Sequence, residues 1–330
     1  MAAVRRRSVS VSGLFLAAIL LPVTAPLWVP VSTLVDLVRG RGRLPTLRLL
    51  SFALCWAWLE SAGVLGAAAL WCIGRARRHR SQYALQRWWA ARLMTALRVT
   101  TGIRVEVADA DAAALRPGPA VLLCRHASLA DSLLSAWIIT SLADMHPRYV
   151  LKRELLADPC LDIVGNRLPN HFLDRGADDS STELAALRRL GADMGTDDIA
   201  VIFPEGTRAS PTKRERALAR IAERQPDRAA LLGALRHLLP PRPAGSAALV
   251  EGAPHADVVI GWHVGFDGLD TFGGILRHLT RTPPPVRFQA VRVPREQVPT
   301  GEGFTPWLDD QWVRADAAVE RLLSVRSEDM

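Results

Sequence analysis

The chain has 330 residues, a hydrophobic fraction of 49% and a net charge of +8, with an isoelectric point near 10.2 and a mean hydropathy of +0.11. That length holds one large domain, or one domain and a membrane anchor. The basic balance beside apolar stretches favours anionic lipid surfaces or anionic substrates; with no zinc-finger spacing, RNA-binding signature or basic heptad helix, it argues against a nucleic-acid partner.

No Lys or Arg lies between Arg7 and Arg39, and Asp36 is the only acid there. Between Arg48 and Arg75 the only charge is Glu60. Each window exceeds the ~20 residues that a helix needs to cross the hydrocarbon core. The first runs on to Val35 and a second follows, which argues against a cleaved secretory signal behind Arg5–Arg7. Pro22, Pro26 and Pro30 predict a kinked or re-entrant first segment. Residues 51–74 predict a cleaner span, with Glu60 packed between helices or at an interface. Arginines flank all three ends, so the positive-inside bias is weak. Two spans, or a hairpin in one leaflet, return the chain to its starting side. The expected division is a membrane-anchoring helical hairpin over 1–80 and an α/β domain over 81–330. The expected location is the inner, cytoplasmic membrane, with the active domain on the cytoplasmic side. Trp88-Trp89, between Arg87 and Arg92, fits a headgroup belt or core packing equally.

Beyond residue 80, strands are predicted at 103–107, 119–124, 148–152, 171–173 and 198–203. Further strands are predicted at 246–250, 257–264 and 286–293. Helices are predicted at 131–143, 181–194, 213–238 and 309–324. The alternation implies a mixed, largely parallel central sheet flanked by helices. Cys55, Cys72, Cys124 and Cys160 show no ligand spacing and read as reduced, structural residues.

Two motifs carry the chemistry. An apolar strand run ends at Arg125-His126-Ala-Ser128-Leu-Ala-Asp131. The strand delivers His126 to the sheet's carboxyl edge, where α/β sites form. Asp131, in the opening turn of the next helix, is placed to accept from Nδ1–H and leave Nε2 as a general base. The other motif is Phe203-Pro-Glu205-Gly206-Thr207-Arg208, also after a strand. Gly206 permits a tight approach to a ligand, Thr207 offers a hydroxyl, and Arg208 can clamp a phosphate. Phe172-Leu-Asp174-Arg175 offers a second phosphate ligand in Arg175, and Leu239-Pro-Pro-Arg-Pro-Ala-Gly245 forms a rigid turn. With no serine elbow and no metal cluster, the nucleophile belongs to the substrate.

These four blocks, in this order, resemble the glycerolipid acyltransferase family, which includes the 1-acylglycerol-3-phosphate acyltransferases. The family's first motif is commonly Asn-His-x-Ser-x-x-Asp, and this chain carries Arg125 in place of the Asn. The second commonly ends Phe-Ile-Asp-Arg, against Phe172-Leu-Asp174-Arg175 here. The third, Phe-Pro-Glu-Gly-Thr-Arg, is matched in full at 203–208. The fourth looks like the Pro-Arg-x-x-Gly form. The resemblance covers roughly residues 120–250, and an N-terminal membrane helix pair is usual in the family. It implies an O-acyltransferase with catalytic His126 and Asp131, and substrate-binding Arg175, Glu205, Gly206, Thr207 and Arg208. The implied donor is an acyl-CoA or acyl-carrier-protein thioester, and no metal or prosthetic cofactor is needed. The implied partners are membrane phospholipid and lysophospholipid. Lysophosphatidate, giving phosphatidic acid, is the first acceptor expected. A larger-headgroup lysophospholipid or a lyso-ornithine lipid is the alternative. A membrane hydrolase would want a Gly-x-Ser-x-Gly elbow, which the chain lacks, and an inactive scaffold would not need His126 and Asp131.

Overall fold

Prolines decide where the first helices start and break. The computed structural model describes residues 2–174, 180–269 and 271–328. Helix α1 (Ala2–Val23) stops at Thr24. Pro22 has no N–H for the Ala18 carbonyl, and Trp58 Nε1 donates to that carbonyl instead at 2.8 Å. Helix α2 (Ala25–Val38) restarts with Pro26 in its first turn, where a missing N–H leaves nothing unpaired. The kink expected in the first window is thus a break into two helices. Near the end of α2, buried Asp36 accepts from the Thr46 and Leu47 backbone N–H groups and from the Thr46 hydroxyl. It caps α3 (Pro45–Cys72) from outside that helix.

Among the described residues, α1 and α3 are the helices long and apolar enough to cross a bilayer. Leu14, Ala57 and Val64 are buried between them. Leu16, Ile19, Leu27, Val31 and Leu34 remain exposed, which fits a membrane-associated chain. The first turns of α1 are nevertheless tied to the α/β domain. Arg6 and Arg7 both donate to the Asp162 carboxylate, at 2.9 and 3.1 Å.

No element is predicted over 79–101, and the structure has α4 (His79–Thr101) there. Its Ala90, Leu93, Met94 and Leu97 share one buried stripe, and Gly102 at φ 79° closes it. Strand β1 (Val105–Val107), α5 (Asp109–Ala113) and β2 (Ala120–Cys124) follow. Helix α6 (Asp131–Trp137) continues into a π-helical turn over Ile138–Leu142. Next come β3 (His146–Lys152), α7 (Pro159–Val164), β4 (His171–Leu173), α8 (Ser180–Gly191) and β5 (Asp198–Ile202). The helix predicted over 213–238 is split by Pro226 into α9 (Pro211–Ala222) and α10 (Pro226–Leu232). The strand predicted at 246–250 is instead part of α11 (Pro243–Gly252). A short apolar run does not distinguish a buried strand from a buried helix; Pro243 in the first turn and the backbone of α8 alongside decide it. A Cβ on Gly252 would stand 2.0 Å from the Arg188 carbonyl oxygen, so glycine permits that approach. Strand β6 (Asp257–Val264), α12 (Phe272–Leu279), β7 (Val286–Val293) and α13 (Phe304–Glu328) complete the chain.

The seven strands form one sheet in the order β1-β7-β6-β2-β5-β3-β4. Every neighbouring pair is parallel except β6–β7, so the mixed, largely parallel sheet expected from the sequence is present. Strand β2 lies at its centre and feeds two cores. Leu122 and Cys124 point to the face that carries Leu134 and Ile139 of the α6 region. Val121 and Leu123 point to the opposite face, with Leu249 of α11 and Trp312 of α13. Because β2, β5 and β6 are parallel, their carboxyl ends share one edge of the sheet.

Candidate active site

At that edge the β2 ladder runs one residue further, with Arg125 N–H donating to the Gly261 carbonyl at 2.9 Å. The chain then turns, and Asp131 begins α6. The His126 backbone N–H donates to Glu205 Oε1 at 2.8 Å, and its carbonyl accepts from Ala209 N–H at 2.8 Å. Its ring leans on Phe203, with centroids 4.8 Å apart. Both backbone groups and one ring face of His126 are therefore fixed by the turn after β5.

Nδ1 of His126 lies 2.9 Å from Asp131 Oδ2. The same oxygen accepts from the Ala127 and Ser128 N–H groups at 2.6 and 2.8 Å, and Oδ1 accepts from the Ser128 hydroxyl. Burial pushes the Asp131 carboxyl up, but the nearby His263 and His126 imidazoles outweigh it and hold it well below the usual carboxylate range. An ionised carboxylate only accepts, so Nδ1 carries the imidazole proton and Nε2 presents a lone pair. Nε2 has no hydrogen-bond partner among the described residues. The His-Asp spacing read from the sequence closes as that reading requires.

The turn after β5 divides its expected residues. Gly206 adopts φ +67°, a conformation that favours glycine. Thr207 is approached by Lys213 Nζ at 3.5 Å. Arg208 has a buried Nη1 with no partner among the described residues. Glu205 departs from the expected substrate-facing role. It is buried, and its second oxygen accepts from Leu239 N–H at 3.0 Å while the first holds His126. Burial pushes its carboxyl up to about 8, against the pull of those two N–H donors. Glu205 thus braces three loops. The 239–245 stretch, read as a turn, contributes that brace through Leu239 and a second one through Arg242 N–H to the Pro204 carbonyl at 2.9 Å. Arg175 lies outside the described residues.

Three neighbours escape the sequence reading. Arg125, at 2% exposure, donates to the His263 carbonyl and to Asp267 Oδ1, the latter at 2.7 Å. Ser128 is spent on Asp131. His263 sits on β6 with Nε2 3.2 Å from Asp131 Oδ1. Its only sequence signal is a lone His in an apolar strand. Burial pushes the Cys124 thiol up, which leaves no thiolate nucleophile at the strand end. Among the described residues, no group of His, Cys, Asp and Glu is arranged to hold a metal ion.

Beside the loop lies an apolar cavity of about 350 Å³. Leu129, Ala130, Ser132 and Leu133, which directly follow the His126 turn, form part of its wall. Phe52 of α3, Leu93 of α4 and Leu151 of β3 form other parts.

Residues 104–251, which hold this constellation, match the family model described as Acyltransferase. Residues 104–251 are thus similar to an acyltransferase domain. The solved structure of the 1-acyl-sn-glycerophosphate (LPA) acyltransferase PlsC from Thermotoga maritima is similar in fold. The TM-score is 0.54 at 18% identity, over 84% of this chain and 97% of that one. No curated protein matches the chain in sequence. The matched segment contains His126, Asp131 and the 203–208 turn, while β6 and its His263 fall just beyond it.

Proposed function

We propose that this O-acyltransferase is membrane-bound and transfers a fatty acyl group from an acyl thioester to the hydroxyl of a lysophospholipid. The first acceptor is 1-acyl-sn-glycerol-3-phosphate and the product phosphatidic acid. One observation carries the assignment: His126 is fixed through Nδ1 while Nε2 is unengaged, the segment that follows it lines an apolar cavity, and the turn that holds its backbone carries an arginine with an unpaired buried nitrogen.

His126 Nε2 removes the acceptor's hydroxyl proton as the oxygen attacks the thioester carbonyl. Asp131 stabilises the imidazolium that forms. The tetrahedral intermediate collapses with cleavage of the C–S bond. The leaving thiolate takes the proton from His126 and departs as the free thiol of CoA or acyl carrier protein. No metal or prosthetic group enters this scheme. Arg208, with its buried Nη1 unpaired, supplies charge-assisted donors for the acceptor's phosphate. That free donor suits a phosphate-bearing acceptor. The apolar cavity takes a fatty chain. Residues 1–80 provide the anchor, through the two long apolar helices and their exposed leucines and valines.

Purified, detergent-solubilised protein tests the assignment. Radiolabelled lysophosphatidate is offered with a panel of acyl-CoAs, and thiol release and labelled phosphatidate are followed. Both are expected from wild type and neither from His126→Ala. Thiol release with a different lysolipid alone would replace the acceptor. No release with acyl-CoA or acyl carrier protein would overturn the assignment.

A further inference from the structure

Asp131 is shared. Its Oδ2 is taken by His126, Ala127 and Ser128, and its Oδ1 by the Ser128 hydroxyl. A second imidazole stands at that Oδ1. His263 comes from β6, the strand paired with β2, where Cys124 stands opposite Gly261. Its Nε2 lies 3.2 Å from Asp131 Oδ1, with the His263 side chain 1% exposed and the Asp131 side chain 0% exposed. The contact is one of ion-pair distance without hydrogen-bond alignment, so the imidazole acts on Asp131 through its charge distribution at close range. We propose that His263 is a positioning residue of the acyl-transfer site: it holds the far oxygen of Asp131 and thereby tunes how firmly that carboxylate holds the His126 imidazolium. The assignment rests on His126 being the base.

Packing alone does not account for an imidazole here. The His263 ring meets the edge of Phe266, with centroids 5.7 Å apart, and neither ring nitrogen has a hydrogen bond of good geometry among the described residues. A buried polar ring whose nitrogens lack hydrogen-bond partners is less stable than a leucine or phenylalanine of similar volume. Of the two nitrogens, Nε2 is the one that faces Asp131. The His263 backbone is committed to the same place, since its carbonyl accepts from the Arg125 guanidinium. Position 263 is therefore tied to residues 125 and 131, on either side of the base.

The other ionisable groups around the pair have partners of their own or lie on another side. Arg125, at the end of β2, is matched by Asp267 after β6. Glu205, after β5, accepts from two backbone N–H groups. The Cys124 thiol of β2 stays protonated in its buried setting. Arg208 belongs to the turn after β5, and Arg287 of β7, opposite Val264, pairs with Glu106. Among these groups, His263 is the one that reaches Asp131 from the side away from His126. The imidazole 3.2 Å from Oδ1 stabilises the carboxylate's charge and weakens its hold on the imidazolium. Removing it leaves a stronger hold, so the base protonates at higher pH. The direction is the same whether His263 is neutral or cationic.

The test is the pH profile of thiol release by the solubilised full-length protein, with palmitoyl-CoA and 1-oleoyl lysophosphatidate. His263→Leu and His263→Asn remove the contact, since the shorter Asn amide falls short of Asp131. His263→Gln keeps an N–H at the reach of Nε2. The acid limb of kcat/KM is expected to move up by about one pH unit in the Leu and Asn variants, with kcat at pH 7 reduced roughly threefold, KM within about twofold, and Gln close to wild type. Protein carrying 13C-labelled histidine gives the same answer without turnover. The His126 ring signal, identified by its loss in His126→Ala, is expected to titrate about one unit higher in the Leu and Asn variants. Unmoved midpoints in folded Leu and Asn variants, or a Gln variant that shifts like Leu, overturn the role of His263 and leave His126 as base untouched. Full activity in His126→Ala overturns both.

Discussion

The loop after β2 and the turn after β5 meet at one edge of the sheet, yet they are built in opposite ways. In the first, polar groups are heavily engaged: Asp131 accepts from four donors in its own loop, and Arg125 is locked to β6. In the second, Gly206 bends the chain and Arg208 keeps a buried nitrogen unpaired. A base needs a fixed orientation before its substrate arrives, because proton transfer depends on sub-ångström placement. An anion clamp needs donors that nothing in the protein has already used. The contrast places the side-chain orientation of His126 on the first segment, and leaves the second to brace its backbone and keep a free donor.

The sharpest way to break this contrast is to remove the base. His126→Ala is expected to lower kcat by about a thousandfold or more, and Asp131→Asn by a similar factor, with KM for the acceptor little changed. A large KM effect in either variant would merge the two roles. Next comes the clamp. Arg208→Gln is expected to raise KM for lysophosphatidate about thirtyfold while kcat moves severalfold at most, and Arg208→Lys to recover only part. Steady-state kinetics with monoacylglycerol in place of lysophosphatidate would sharpen this, since an acceptor without phosphate should not respond to the substitution. A smaller effect is expected from the cavity wall. Ala136, 4% exposed, lines the cavity, and Ala136→Phe would shorten it. The ratio of kcat/KM for lauroyl-CoA over palmitoyl-CoA is expected to rise about tenfold. An unchanged ratio would mean that the fatty chain lies elsewhere.

The smallest effect concerns the brace between the two segments. Burial raises the Glu205 carboxyl to about 8 in the folded protein, so the folded state holds a proton there that the unfolded chain releases near 4.5. Its contribution to stability is therefore greatest below pH 4.5 and declines as the pH rises toward 8. Glu205→Gln, which mimics the protonated form, removes that dependence. Between pH 5 and pH 8 the wild-type melting temperature is expected to fall by about 2–4 °C more than that of the variant. Parallel melting curves would show that the carboxylate stays ionised on its two backbone donors throughout.

Much of the site is written locally. His126 and Asp131 are five residues apart, and a strand end followed by a helix start suffices to bring them together. The 203–208 turn is likewise one continuous segment whose Gly206 marks the bend. What local pattern did not reveal came from partners distant in the chain. Glu205 turned inward because its oxygens found N–H groups on residues 126 and 239. Arg125 is held where it is because β6 and the loop after it supplied a carbonyl and Asp267. The 246–250 run became helical because Pro243 starts α11 and α8 lies close against it.

By itself the sequence determined the alternating strands and helices, the two long apolar helices and the local His-Asp geometry, because hydrophobic period and turn chemistry act over a few residues. Only the tertiary structure decided that β6 lies beside β2, and with it that His263 stands on the carboxylate that orients His126. Strand order joins residues more than a hundred positions apart, and that choice is made by sheet pairing and two-sided burial rather than by any local signal.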